Sequence, residues 1–197
     1  MKTTNKLLTL IIIFSSLFSL QSQNKFSKRK IENLKEEVSQ LVEDDKKMTQ
    51  VMIDKVFSFG ELGFQEFETS KYLGKILEEN GFDVEYQISG IPTSWLATWS
   101  NGEGGPTIAL GSDFDGVPST SQYPGVAYEK PVVEGAPGHG EGHNIGLPIV
   151  ITSAIAIKKI MIENNINGKL VLWPGVAEEI LGAKAWYVRD GYFDNVD

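Results

Sequence analysis

Three short clusters in this sequence combine residue types that can do chemistry. They are Asp113 and Asp115 in "SDFDGVP", His139, Glu141 and His143 in "GHGEGHN", and Glu178 and Glu179 in "GVAEE". The chain contains 2 histidines, and both fall in the second cluster. Imidazole and carboxylate together, without thiolate, suit zinc, manganese or cobalt in a hydrolytic site. A ligating imidazole binds through one ring nitrogen and donates through the other, and Asp115 is a candidate to receive that second bond. Adjacent side chains point in different directions, so one of Glu178 and Glu179 can hold metal while the other takes a proton from a substrate water. Each cluster alone has a plainer account: Asp-x-Asp capping a turn, His-x-x-x-His decorating a glycine-rich loop, or Glu-Glu complementing a helix dipole. What favours chemistry is convergence, which depends on the elements that carry the clusters.

Those elements alternate. "KRKIENLKEEVSQLVEDDKKMTQVMIDKVF" lacks Gly and Pro and repeats Ile31, Leu34, Val38, Leu41 and Val42 at three- and four-residue steps, which predicts one long amphipathic helix from Lys28 to about Phe57. A second helix is predicted from about Glu68 to Glu79, stopped by Gly81. "FDVEYQ" and "WLATW" alternate as half-buried strands, whereas "TIALGSD" and "GKLVLWPG" read as central, covered strands. A long Gly-, Pro- and Ser-rich loop runs to about Gly142, followed by the apolar helix "IGLPIVITSAIAIKKIMIENN" and a last helix from about Glu178 to Arg189. The expected fold is α/β, a mixed, mostly parallel central sheet flanked by helices. All three clusters then follow strand ends on one side of the sheet, where α/β folds build their sites.

Composition sets the outer bounds. With 197 residues and 41% apolar content, the chain can form one globular domain. Its net charge of −8 disfavours nucleic acid and anionic membranes as partners, since phosphate binding needs basic patches. A small-molecule or peptide substrate fits better. "MKTTNK" followed by "LLTLIIIFSSLFSL" has the form of a signal peptide, so residues 1–22 are expected to be cleaved and the protein exported to the periplasm or the extracellular space. The absence of cysteine rules out a disulfide framework.

Five blocks occur in an order that resembles the dinuclear metal-dependent amidohydrolases and peptidases related to aminoacylase and carboxypeptidase G, in the branch acting on p-aminobenzoyl-glutamate. The blocks are "ELGFQEFETSKYLGKILEENGFDVE", "GIPTSWLATW", "IALGSDFDGVPSTSQ", "GAPGHGEGHNIG" and "GVAEEILGAKAWYVRDGYFDNVD". The resemblance implies a zinc-peptidase-like catalytic domain with two divalent metal ions and an amide substrate bearing a free carboxylate. It implies His143 and Glu179 as metal ligands, Glu178 as general base, and Asp115 as the carboxylate that orients a ligand. Glu141 stands where this branch usually has a metal-binding cysteine, and is retained as a ligand because carboxylates bridge cations in other members. His139 is a further candidate ligand, or a residue that orients the loop. Relatives are about twice as long and carry further histidine ligands and a lid and dimerisation domain, which also makes them homo-oligomeric. Residues 28–197 are therefore expected to be the N-terminal part of the catalytic domain, with no lid, weak metal binding and little turnover alone. Two alternatives remain: a haloacid-dehalogenase-type phosphatase, with Asp113 as nucleophile and Asp115 as acid/base, and an inactive secreted remnant with a partial metal site.

Overall fold

The computed structural model describes residues 26–197, so the expected leader, residues 1–22, lies outside the described residues. The chain divides into two units, one ending at Glu36 and one spanning Glu37–Asp197. Helix α1 covers Lys28–Asp44 and α2 covers Lys46–Phe59. The single helix expected over residues 28–57 is thus two. The break falls at Asp45, where φ −88° and ψ 6° leave helical geometry. It sits in the all-charged run Glu43–Lys47, which supplies no apolar side chain to hold a continuous stripe.

Within the second unit, α2 buries Met52 and Val56 completely and lies against α4 (His143–Glu163), with the Thr49 and Thr152 hydroxyls 2.7 Å apart. Gly60 ends α2 at φ 55°, and a Cβ there would meet the Pro137 carbonyl at 3.0 Å, so both conformation and space call for glycine. Helix α3 (Phe67–Glu79) buries Leu73 and Leu77. Its first turn is capped from outside, since the Glu61 carboxylate accepts from the Glu68 and Thr69 amides at 2.9 Å each.

The sheet has four strands among the described residues: β1 (Asp83–Tyr86), β2 (Trp95–Asn101), β3 (Thr107–Asp113) and β4 (Gly168–Gly175), in the order β1-β2-β4-β3. Pairings β1/β2 and β2/β4 are antiparallel, and β3/β4 is parallel. The α/β class and the mixed sheet agree with the sequence. The parallel majority does not: one pairing of three is parallel, because β1 and β2 are joined by a short connection that returns the chain antiparallel. Strand β4 is central and almost wholly buried, but β3 is terminal among the described strands and Ile108 is exposed. An apolar run marks a strand covered on its faces, and it says nothing about whether both edges are paired.

Apolar faces of α2, α3, α4 and the sheet meet in one core that includes Leu73, Leu77, Trp95, Leu147, Ile151 and Leu172, each with no exposed surface. Each such side chain contributes about 1.5–3 kcal/mol of burial. Helix α4 is apolar and long enough to cross a membrane by composition, yet much of it is core: Leu147, Ile151, Ala154 and Ala156 are buried in this unit. Trp173 packs edge-on against Phe193 and Tyr187, and lies across Gly111 of the neighbouring strand. The last predicted helix, 178–189, is instead a 3₁₀ turn at Glu178–Ile180 followed by the short α5 (Lys184–Arg189). Leu181 and Ala183 carry positive φ on either side of Gly182, which interrupts the helical run.

Candidate metal centre

The parallel pair β3/β4 brings the acidic clusters together. Asp113 is in register with Gly175, so both strands leave the sheet on the same side. Asp115 then follows one strand end, and Glu178 and Glu179 follow the other. The intervening loop folds back at a Val117–Gly138 bridge, where the Thr120 hydroxyl contacts the carbonyls of both residues at 2.8 Å. This return delivers Gly142, at φ 111°, and then His143 as the first residue of α4. Beyond its neck the loop encloses a pocket of about 510 Å³, lined by residues such as Gln122, Tyr128 and Glu134 and by none of the clustered groups.

His143 is the hub. Its Nδ1 lies 3.2 Å from the Asp115 carbonyl and 3.3 Å from Asp115 Oδ1. In the tautomer that places the proton on Nδ1, the Asp115 carbonyl accepts from it and the Nε2 lone pair is free for a cation. Around that ring stand Glu141 Oε2, 2.8 Å from Nε2, Glu178 Oε2, 3.9 Å from Nε2, and Glu179 Oε1, 3.8 Å from Nδ1. Asp115 is buried, and its Oδ2 also accepts from the Glu179 amide at 3.1 Å. One carboxylate thus lies against the imidazole and secures the acidic turn.

Two groups of candidate ligand atoms, each spanning no more than 4.8 Å, emerge: Asp113, His143 and Glu178, and Glu141, His143 and Glu179. Donor atoms on one tetrahedral zinc ion lie about 3.4 Å apart, so the 2.8 Å and 3.9 Å separations of Glu141 and Glu178 from Nε2 suit a divalent cation after small side-chain adjustments. Electrostatics agree with that fit. The Glu179 carboxyl is held above the usual carboxylate range, first by loss of hydration and then by Asp115, Glu178 and Glu141, with His143 opposing. Crowded carboxylates that raise one another's proton affinity also raise cation affinity. Both groups, however, use His143, and a neutral imidazole has one free lone pair. These residues complete one ion's coordination more readily than two.

The structure therefore brings together Asp115, Glu141, His143, Glu178 and Glu179. It does not bring His139 into either group. The His139 Nε2 is 3.1 Å from the Val56 carbonyl, the ring lies beside Phe57, and burial pushes its pKa down. Asp113 stood in the first cluster of candidate ligands, and Glu66 was given no role from sequence. Asp113, weighed there as a phosphatase nucleophile, joins the metal group with Glu178 and pairs with Lys184 Nζ at 2.7 Å. Glu66, inside the "ELGFQE" block, is fully buried and bonded to Ala177. The only sequence signal for it was a charge flanked by Phe64 and Phe67.

The fold is an α/β one also found in dinuclear metal-binding peptidases. The chain is similar in fold to a Bacillus subtilis dinuclear metal binding peptidase from M20 family (TM-score 0.57, 22% identity, covering 78% of this chain and 42% of that one). It is likewise similar to an aminobenzoyl-glutamate utilization protein from Klebsiella pneumoniae (TM-score 0.58, 18% identity, covering 82% of this chain and 44% of that one). By sequence it is 32% identical over 160 residues to a p-aminobenzoyl-glutamate hydrolase polypeptide of Escherichia coli strain K12, covering 81% of this chain and 33% of that protein. No family model matches. Its homologues are metal-dependent amidohydrolases and peptidases, and the chain spans about a third of the length of the curated relatives it matches. These homologues leave the phosphatase alternative with only its Asp-x-Asp pattern.

Proposed function

We propose that this chain carries part of the active site of a metal-dependent hydrolase that cleaves the amide bond of an N-acyl amino acid or small peptide, with a p-aminobenzoyl-glutamate-like compound as substrate. The carrying observation is the placement of His143, whose Nδ1 is taken up by Asp115 while Nε2 faces Glu141 and Glu178. In this reading Glu141, His143 and Glu179 hold the cation, Asp115 orients His143, and Glu178 is the general base. His139, tied to the Val56 carbonyl, orients the loop. Zinc, manganese and cobalt all suit the donors, and two ions are expected in the complete centre. When bound, a divalent ion supplies Lewis acidity and a water of lowered pKa.

The chain's own groups do the remaining work. The Glu178 carboxylate, partly exposed, accepts the proton of the attacking water and returns it to the leaving amine. Asp115 holds the imidazole through its backbone carbonyl and accepts from the Glu179 amide, so that the acidic turn does not drift. Because one imidazole serves both candidate groups, the chain alone is expected to bind metal weakly and to turn over little substrate. We further propose that residues 28–197 are the N-terminal part of the catalytic domain and that residues 1–22 direct export. N-terminal sequencing of secreted protein tests the latter.

The functional test is Glu178→Gln in a full-length relative carrying these five blocks. Hydrolysis of p-aminobenzoyl-glutamate should be abolished while metal content is kept. Retained turnover would remove Glu178 from the base role.

A further inference from the structure

Glu66 has no exposed surface, yet it lies in the short connection between α2 and α3 and bears a carboxylate. An ionisable group so placed costs stability unless its oxygens are satisfied, and both are. Oε2 accepts from the Thr93 hydroxyl at 2.8 Å, and Oε1 accepts from the Ala177 amide at 2.9 Å. Burial still pushes the carboxyl's pKa up, against the lowering effect of its own backbone amide, of Thr93 and Ala177, and of the Phe64 backbone.

What the second bond holds is unusual. Ala177 is a non-glycine residue at φ 55°, a left-handed conformation that costs about 1–2 kcal/mol for an L-residue. Its carbonyl accepts from Gly182 at 2.8 Å and from Ile180 at 3.3 Å, which closes the turn bearing Glu178 and Glu179. A Cβ on Gly63 would come within 2.9 Å of the Ala177 Cα, so the "ELGFQE" connection also packs directly beneath this residue. Ala177 is thus pinned on both sides, by Glu66 through its amide and by the turn through its carbonyl. Downstream, the Glu179 amide is pinned by Asp115.

We infer that Glu66 is a positioning residue for the metal centre: through the Ala177 amide it holds the left-handed backbone that sets where the Glu178 and Glu179 carboxylates stand. The inference rests on assigning those two glutamates to the centre, but the backbone link can be tested without metal. Glu66→Gln keeps an oxygen for Ala177 and can donate to Thr93, so it should preserve the link. Glu66→Leu removes it, and Glu66→Asp draws the carboxylate back by one methylene, providing the comparison if the leucine variant does not fold.

The experiment is residue-resolved amide hydrogen exchange on the whole metal-free chain, followed by a cobalt(II) titration of the same samples. In Glu66→Leu or Glu66→Asp the Ala177 and Glu179 amides should exchange about tenfold faster or more, the effect expected for a lost bond to a charged group. The Leu170 and Leu172 amides should stay protected, and Glu66→Gln should match the parent. Unchanged exchange at Ala177, or a uniform loss that includes β4, would overturn the inference, since the first denies the link and the second describes general loosening. Cobalt affinity should fall in the same variants and be restored in Glu66→Gln. Loss of the Ala177 link with unaltered cobalt affinity would overturn the positioning role, whereas absence of cobalt binding in the parent would instead count against the metal assignment and leave the exchange result to decide the link.

Discussion

Removing the Asp115 side chain should weaken cation binding far more than its distance from any cation would suggest. Asp115 is 1% exposed and serves two partners, the His143 Nδ1 at 3.3 Å from Oδ1 and the Glu179 amide at 3.1 Å from Oδ2. The amide bond is one to a charged acceptor, worth about 1.5–3 kcal/mol, whereas the imidazole contact is a charge approach without hydrogen-bond geometry. The backbone carbonyl of Asp115 still accepts from Nδ1 at 3.2 Å in a truncated variant, so the imidazole keeps part of its restraint. The net loss should then be close to that of one such bond, matching the roughly 10–100-fold drop in affinity typical for carboxylates that orient a metal-bound histidine. Asp115→Ala and Asp115→Asn are the variants to compare. Asparagine can accept from only one of the two donors, because its amide nitrogen is itself a donor, and it should therefore fall between parent and alanine. The assay is competition for zinc against a chromophoric chelator, with thermal melts confirming that each variant is folded. A folded Asp115→Ala chain with parental zinc affinity would refute the orienting role.

Three further outcomes are expected. Lys184→Ala should tighten zinc binding by up to about fivefold, since it removes a cation 2.7 Å from Asp113; the gain is small because both groups are partly exposed and screened. Unchanged or weaker binding in the same competition assay would contradict it. Gly111→Ala places a Cβ 2.2 Å from the Trp173 ring, so it should lower the urea unfolding free energy by about 1–3 kcal/mol, and equal midpoints would show that the strands yield easily. For pH, the Glu66 carboxyl is raised above 4.5 in the folded state by burial, so the folded chain binds that proton more tightly than the unfolded chain. Its contribution is fully present below the ordinary carboxylate range and is lost as pH rises through the elevated folded value. Urea midpoints of the parent should therefore decline through that window relative to Glu66→Gln, and parallel pH profiles would count against the shift.

Much of the architecture could be read from periodicity, and the failures have physical causes. The "GKLVLWPG" run declared a covered strand because every position but Lys169 and Trp173 is buried. The same reasoning applied to "TIALGSD" identified β3 but not its terminal position, since pairing at an edge leaves no mark on hydrophobicity. The single helix over residues 28–57 failed at Asp45 because helix propensity sums along a segment and is blind to where an apolar stripe loses its partner. At the site, the symmetric spacing of His139 and His143 hid a difference that only the backbone resolves. One ring is spent on the Val56 carbonyl, while the other starts a helix beside three glutamates. Glu66 was the least legible residue. A buried carboxylate is recognised by its partners, and Thr93 and Ala177 are distant in sequence.

The central claim is that the groups around His143 bind a divalent cation. Equilibrium dialysis of the purified chain against zinc, with His143→Ala dialysed in parallel, measures it most directly. The parent should show a single saturable step that is absent from the variant. No saturable uptake by the parent, or equal uptake by His143→Ala, would contradict it.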